Sequence, residues 1–310
     1  MLEKFADYWN AANIHVDRVV FRPIVESTVR PANLKAGSLE MIERALATDL
    51  PEIKADPKLK LATVPELGYQ GVTLNIGKSD AGKSRLRQGS ARHASLRSSL
   101  DREAITKVAF NGEFLPGNQW VSPKSPYYQG KFPVPKTRCS QGQGAVEGSG
   151  VTTPLAIDFM VPNNPETRQV AEIIQAMAGE AGSRHQDPGD GVRNLAQGGR
   201  RGSLPGLYAG LVGPRRPGRQ FLQLLQDRGA AKLCRLQQPE VDAWLDERAR
   251  RAPFAERKAV YEKIAEKALA EGGIVYLYHR LMIIAHTGKL DGYKQMPDGL
   301  IRLTGVKLKP

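Results

Sequence analysis

The string with the most obvious chemical potential is Gly77-Lys78-Ser79-Asp80-Ala81-Gly82-Lys83-Ser84, which fits the phosphate-cradling pattern GxxxxGK[ST]. In such a loop backbone N–H groups surround phosphate oxygens, the lysine reaches the outer phosphates and the last hydroxyl meets Mg²⁺. A strand expected over 71–76 leads into it, and Leu155-Ala156-Ile157-Asp158 offers a second strand ending in a metal-side aspartate. The chemistry also needs a helix starting just after Lys83, whose first amides aim at the phosphates. Arg85-Leu86-Arg87-Gln88-Gly89-Ser90 follows instead, with a glycine and no apolar face. P-loop nucleotide binding through Gly77 to Ser84 is therefore an alternative and not the leading expectation.

The other reactive residue types are scattered. Cys139 and Cys234 are the two cysteines; they are too few for a disulfide framework, and Cys139 has only Arg138 beside it to lower its pKa. The five histidines, His15, His93, His185, His279 and His286, make no metal-ligand spacing. His279 and His286 flank the apolar run 281–285 and read as strand residues. No Ser/His/acid constellation has a motif around it, so neither catalysis nor a metal or other cofactor is expected.

The net charge of +13 suggests nucleic acid as a partner. Nearly all of it sits in two windows, 78–99 and 184–237, and the second offers only Tyr208 and Phe221 for base stacking. A basic nucleic-acid-binding protein is the third possibility, and solvated charge without nucleic acid is the expected state. No window approaches the apolar length of a membrane span. Met1 to Trp9 has mixed charge and no apolar core, so the sequence as it stands shows no export signal and is expected to stay in the cytoplasm.

Outside the basic windows, strands and helices that could position a site are readable. Strands are expected over 19–24, 39–42, 59–64, 71–76, 274–278 and 281–285. Ser27 can cap a helix closing at Gly37, and Thr48 one over 49–55. Asp101 can cap 102–110, with Gly112 past the end. A longer helix starts with Asn164 as cap and Pro165 in the first turn, has Val170, Ile173, Ile174 and Met177 on one face, and stops at Gly182. Two more start at Pro239 (Val241, Trp244 and Leu245 inward) and at Phe254 (Tyr261, Ile264, Ala265, Ala268 and Leu269 inward). This mixture predicts an α/β protein. Three stretches, 78–99, 139–149 and 183–237, are rich in Gly, Arg, Gln and Ser, lack either period, and are expected to be anomalous or structureless.

Several strings occur in an order that resembles the extracellular solute-binding proteins of family 5, the dipeptide/oligopeptide-type receptors of ABC importers. They include Asp7-Tyr8-Trp9-Asn10, Val16 to Pro23, Gly68-Tyr69-Gln70-Gly71, Leu100-Asp101-Arg102-Glu103-Ala104-Ile105 and Pro116-Gly117-Asn118-Gln119-Trp120-Val121. They continue with Val161 to Arg168, Gln238-Pro239-Glu240-Val241-Asp242, Tyr276-Leu277-Tyr278-His279-Arg280 and Pro297 to Arg302. The resemblance covers about two-thirds of the chain and implies a two-lobed periplasmic binding protein of the type II fold, with the family's N-terminal part missing. On that layout residues 1–76 belong to lobe I, 77–285 to lobe II, and 286–310 return to lobe I.

The same resemblance implies a periplasmic, monomeric binder of a small peptide or similar solute, with membrane permease subunits as partners and no enzymatic activity. Such receptors hold an extended ligand with backbone groups, a charged anchor and aromatic walls. The implied ligand-binding residues are Tyr69 and Gln70 at the crossover, Asn118, Gln119 and Trp120 after a Pro-Gly turn, and Tyr127 beside Tyr128 after Ser-Pro. Arg216-Pro217-Gly218 stands where the family's acidic Asp-Pro-Asp region would anchor a peptide amine, and an arginine cannot neutralise an ammonium. The anomalous stretches are read as family residues in a displaced frame. Residues 141–150, for example, can be written in codons that spell Lys-Ala-Lys-Ala-Leu-Leu-Lys-Glu-Ala one base later. The expectation is thus a truncated or degraded receptor, and the coding DNA tests the displacement directly.

Overall fold

The computed structural model describes residues 1–74, 96–137, 155–158, 161–162, 165–180, 183–186, 206–211, 239–249, 253–271 and 273–310. In chain order the elements are β1 (Leu2–Glu3), β2 (Arg18–Val19), α1 (Val29–Lys35), β3 (Met41–Glu43), α2 (Leu50–Ala55), β4 (Leu59–Pro65) and β5 (Tyr69–Leu74). Then come α3 (Arg102–Phe110), β6 (Leu115–Pro116), β7 (Leu155–Asp158), α4 (Pro165–Glu180), β8 (Ser183–Gln186) and β9 (Gly206–Leu211). The last are α5 (Pro239–Ala249), α6 (Phe254–Glu271), β10 (Ile274–His279), β11 (Leu281–Thr287), β12 (Leu290–Asp291) and β13 (Lys307–Leu308). They fall into two compact units, Met1–Glu66 with Leu281–Pro310, and Leu67–Arg280.

The first unit is built on the antiparallel sheet β3-β11-β4. β11 is its central strand, and Met282, Ile283, Ile284 and Ala285 are buried with Leu34, Ile42, Leu50 and Ile53. Pro31 lies in the first turn of α1, where its missing N–H would have had no partner. α1 closes as expected at Gly37: its φ is +74°, Gly37 N–H donates to Leu34 O and Ser38 N–H to Asn33 O, a Schellman closure. The start differs from expectation, since Thr28 and not Ser27 precedes the helix and neither caps it through a side chain. The strand expected over 19–24 is also shorter. β2 pairs only Val19 with Leu2 and Arg18 with Glu3, because β1 offers two residues and Pro23 has no N–H to extend a ladder.

The second unit carries an antiparallel sheet of order β6-β10-β5-β9. α3 is bounded as expected: the Asp101 carboxylate accepts from Ala104 N–H at 2.9 Å, and the chain leaves through Asn111 and Gly112 at φ of +52° and +76°. α4 buries Val170 and Ile174, with Ile173 and Met177 half-buried. α5 and α6 bury Val241, Leu245, Tyr261, Ile264, Ala265, Ala268 and Leu269, the inward faces expected from their spacing.

Three expectations are corrected. The strand at 69–74, expected with lobe I, belongs to the second unit because it pairs with β10 and β9. The run 281–285, expected with lobe II, belongs to the first unit because β11 pairs along the whole of β4. The crossings therefore lie at 66/67 and 280/281 and not at 76/77 and 285/286. Finally, the stretches expected to be structureless contain order: residues 96–99 are helical with Leu96 buried, β8 pairs in parallel with β7, and β9 pairs with all of β5. Ladder bonds need only backbone N–H and C=O groups, so an open edge of β5 can be filled by a segment with little side-chain pattern. Residues 77–84, Cys139, Cys234, Arg216-Pro217-Gly218 and residues 139–149 lie outside the described residues.

Candidate functional site

All six candidate ligand-binding residues lie in the second unit, and none is more than 9 % exposed. Tyr69 and Gln70 open β5, the strand between β10 and β9. The backbones of β5 and β10 approach so closely at Gly71 that a Cβ there would lie 2.6 Å from Val275 O. Tyr69 meets Tyr276 of β10 edge to face, with ring centroids 4.7 Å apart.

Asn118, Gln119, Trp120 and Tyr127 lie on the loop that follows β6, and the two amides hold its shape. Asn118 Nδ2 donates to Pro133 O at 3.0 Å. Gln119 Nε2 donates to Gln129 O at 2.8 Å and Phe132 O at 3.1 Å, and its Oε1 accepts from Gln129 N–H at 3.1 Å. Gln129 in turn donates from Nε2 to Lys258 O on α6 at 3.3 Å. The two bonds between Gln119 and the Gln129 backbone are buried, so they satisfy a carbonyl and an N–H removed from water. Tyr127 packs edge to face on Tyr261 at 5.1 Å and tilts against Phe254 at the same distance, so the loop is seated on α6.

The structure thus brings Tyr69, Trp120 and Tyr127 into one buried cluster with α5, α6 and Tyr276. Tyr128, Phe132 and Trp244 stand at its margin, half-buried. Asn118 and Gln119 are bound up in the loop backbone. The arrangement is an apolar and aromatic cluster beside two amides held by backbone groups. Among the described residues no group of His, Cys, Asp and Glu is placed to hold a metal ion.

Two buried titratable side chains organise the same sheet and were not singled out as site residues from sequence. Arg102, 2 % exposed, donates from Nε to Tyr276 O at 2.9 Å and from Nη1 to Leu100 O at 3.0 Å and Arg97 O at 3.3 Å. Burial, aided by the charge of Arg97, pushes its guanidinium down to about 10. His279 is fully buried at the end of β10, with Nδ1 2.7 Å from Gly68 O. A carbonyl only accepts, so Nδ1 carries the proton. Nε2 is buried without a hydrogen bond and faces Gly117, where a Cβ would lie 2.7 Å away. Burial pushes the imidazole down from 6.5 to about 4, although the bond to Gly68 opposes the shift. The available sequence signals were an arginine in the first turn of a capped helix and a Pro-Gly turn facing a histidine-ended strand.

Comparison with known proteins gives these features a context. Residues 1–184, more than half the chain, match the family model described as bacterial extracellular solute-binding proteins, family 5 middle. The glutathione-binding protein GsiB of Pectobacterium atrosepticum is 24 % identical over 99 % of this chain and 60 % of its own length. Heme-binding protein A of Haemophilus influenzae is 22 % identical over 97 % of this chain and 55 % of its own. Among solved structures, the dipeptide binding protein of Pseudoalteromonas sp. SM9913 in complex with Met-Leu has a TM-score of 0.86 at 16 % identity, over 99 % of this chain and 61 % of that one. DppA from Helicobacter pylori in complex with the peptide STSA has a TM-score of 0.85 at 17 % identity, with 99 % and 60 % covered. The chain spans about 60 % of the length of these relatives. All are binding proteins by name, and none of them points toward nucleotide or nucleic-acid recognition. The shared fold is the two-lobed type II fold of periplasmic binding proteins. No helix among the described residues is long and apolar enough to cross a membrane. With the family model matched over residues 1–184, this chain belongs to the bacterial extracellular solute-binding proteins of family 5.

Proposed function

We propose that the chain is the substrate-binding component, or part of it, of an ABC importer that takes peptides or similar small solutes. The observation that carries this function is the family match over residues 1–184. It is supported by relatives named for binding glutathione, haem and di- or tripeptides, and by related structures that hold Met-Leu and a tetrapeptide. In this role the protein binds without catalysing, acts as a monomer in the periplasm and delivers its solute to membrane permease subunits. Residues 1–66 and 281–310 form lobe I and residues 67–280 lobe II.

Tyr69, Gln70, Asn118, Gln119, Trp120 and Tyr127 serve this binding as the lobe II framework of the ligand wall. Their burial leaves little side-chain surface for a solute, and the two loop amides spend their hydrogen bonds on backbone groups. Such pre-organisation lowers the ordering cost of binding. Isothermal titration of the full chain with di- and tripeptides, glutathione and haem tests the function. Saturable binding of one of them is expected. A chain that is folded by circular dichroism and binds none overturns it.

A further inference from the structure

The chain passes between its two units only at 66/67 and 280/281. On the first unit's side these crossings are joined by the ladder pair Pro65–Leu281. On the second unit's side the ladder of β5 and β10 is interrupted: Tyr276 pairs with Gly71 and Tyr278 with Gln70, leaving a bulge between them. Beyond the bulge, the side chain of His279 takes over from the backbone and donates to Gly68 O at 2.7 Å.

The imidazole is held in that orientation. β6 lies along its other side, with Gly117 N–H donating to Leu277 O at 2.9 Å and Leu115 paired with His279. Gly117 lets the ring approach its Cα; a Cβ would lie 2.7 Å from Nε2 and 2.9 Å from Cδ2. The next residue, Arg280, is tied to the second unit as well, its Nη2 reaching both carboxylate oxygens of Glu166 at 3.0 and 3.2 Å.

We propose that His279 is a positioning residue that fastens both crossings to the second unit, so that the segments between the units shrink to Glu66-Leu67 on one crossing and Arg280 on the other. The backbone left unclasped at each crossing is then confined to those residues. The clasp rests on the solute-binding function for its purpose, as a fixed end to the second unit of a receptor. Its existence is tested without ligand.

The test is peptide-resolved hydrogen exchange on the full chain, comparing His279→Phe, which keeps a ring and removes the donor, with His279→Asn, whose Nδ2 stands where the imidazole Nδ1 was. In His279→Phe, exchange in peptides covering 66–71 and 276–282 should rise about tenfold, as expected for loss of one buried hydrogen bond. Exchange in α4 and in the 284–287 part of β11 should stay unchanged. His279→Asn should restore most of the protection at the crossings. Unchanged exchange at 66–71 in His279→Phe overturns the proposal, as does a rise spread equally over both units or an absence of rescue by Asn. Should His279→Phe not fold, Gly117→Ala displaces the ring by contact and must give the same local rise. A failed titration with peptides would leave these outcomes untouched, so the clasp and the solute-binding function fail separately.

Discussion

The buried imidazole of His279 makes the stability of the second unit depend on pH in a defined window. Its folded value is about 4, against 6.5 when exposed in the unfolded chain. Between these values the unfolded chain binds a proton that the folded chain refuses. Folding is therefore penalised as pH falls below 6.5, and the loss is complete near 4. One pH unit of displacement corresponds to about 1.4 kcal/mol, so the full effect is about 3 kcal/mol, of which about 2 kcal/mol is gone by pH 5. His279→Asn keeps a donor for Gly68 O and removes the titration. Urea unfolding followed by tryptophan fluorescence suits the measurement: Trp120 is buried and Trp244 half-buried in the second unit, whereas Trp9 is 85 % exposed and changes little. The stability advantage of wild type over His279→Asn should shrink by about 2 kcal/mol between pH 7.5 and pH 5. A constant difference over that range would refute the buried, neutral imidazole.

Gly71→Ala should destabilise by about 2 kcal/mol despite the stiffer unfolded chain, because its Cβ meets Val275 O, which cannot retreat without moving β10; urea midpoints read this directly. Arg102→Met should cost about 3 kcal/mol in the same assay, since three carbonyls lose their donor inside the unit. Gln119→Leu should cost about 2 kcal/mol and speed hydrogen exchange within 118–133, while exchange in α4 stays as it was. Asp101→Ala should cost about 1 kcal/mol and fray the first turn of α3.

The family was legible because its strings are local and survive in order, from Asp7-Tyr8-Trp9-Asn10 to Pro297-Asp298-Gly299. Helix ends set by a neighbouring side chain or glycine were legible too: Asp101 at the start of α3 and Gly37 after α1. The inward faces of α5 and α6 followed from spacing alone, because a 3.6-residue period leaves one stripe to bury. The failures share a cause. A strand is stable only with a partner, and the partner is not written beside it. Residues 20–24 look like β2 but find no ladder, whereas residues 206–211 look like linker and complete β5.

The candidate site divides in the same way. The family resemblance put forward Tyr69, Gln70, Asn118, Gln119, Trp120 and Tyr127 as candidate ligand-binding residues. Only the tertiary structure decided that the two loop amides are spent on backbone carbonyls 129, 132 and 133 and that the aromatics are packed on α6 and β10. It also decided that His279, which read simply as a strand residue, joins a carbonyl far away in sequence across the end of that sheet. By itself the sequence determined the family, the limits of α3, the closure of α1 and the faces that must be buried, because these depend on neighbours along the chain. The register of β5 against β10, the closeness of Gly71 and Gly117 to other backbones and the neutral state of His279 depend on segments brought together from far apart, and folding alone supplied them.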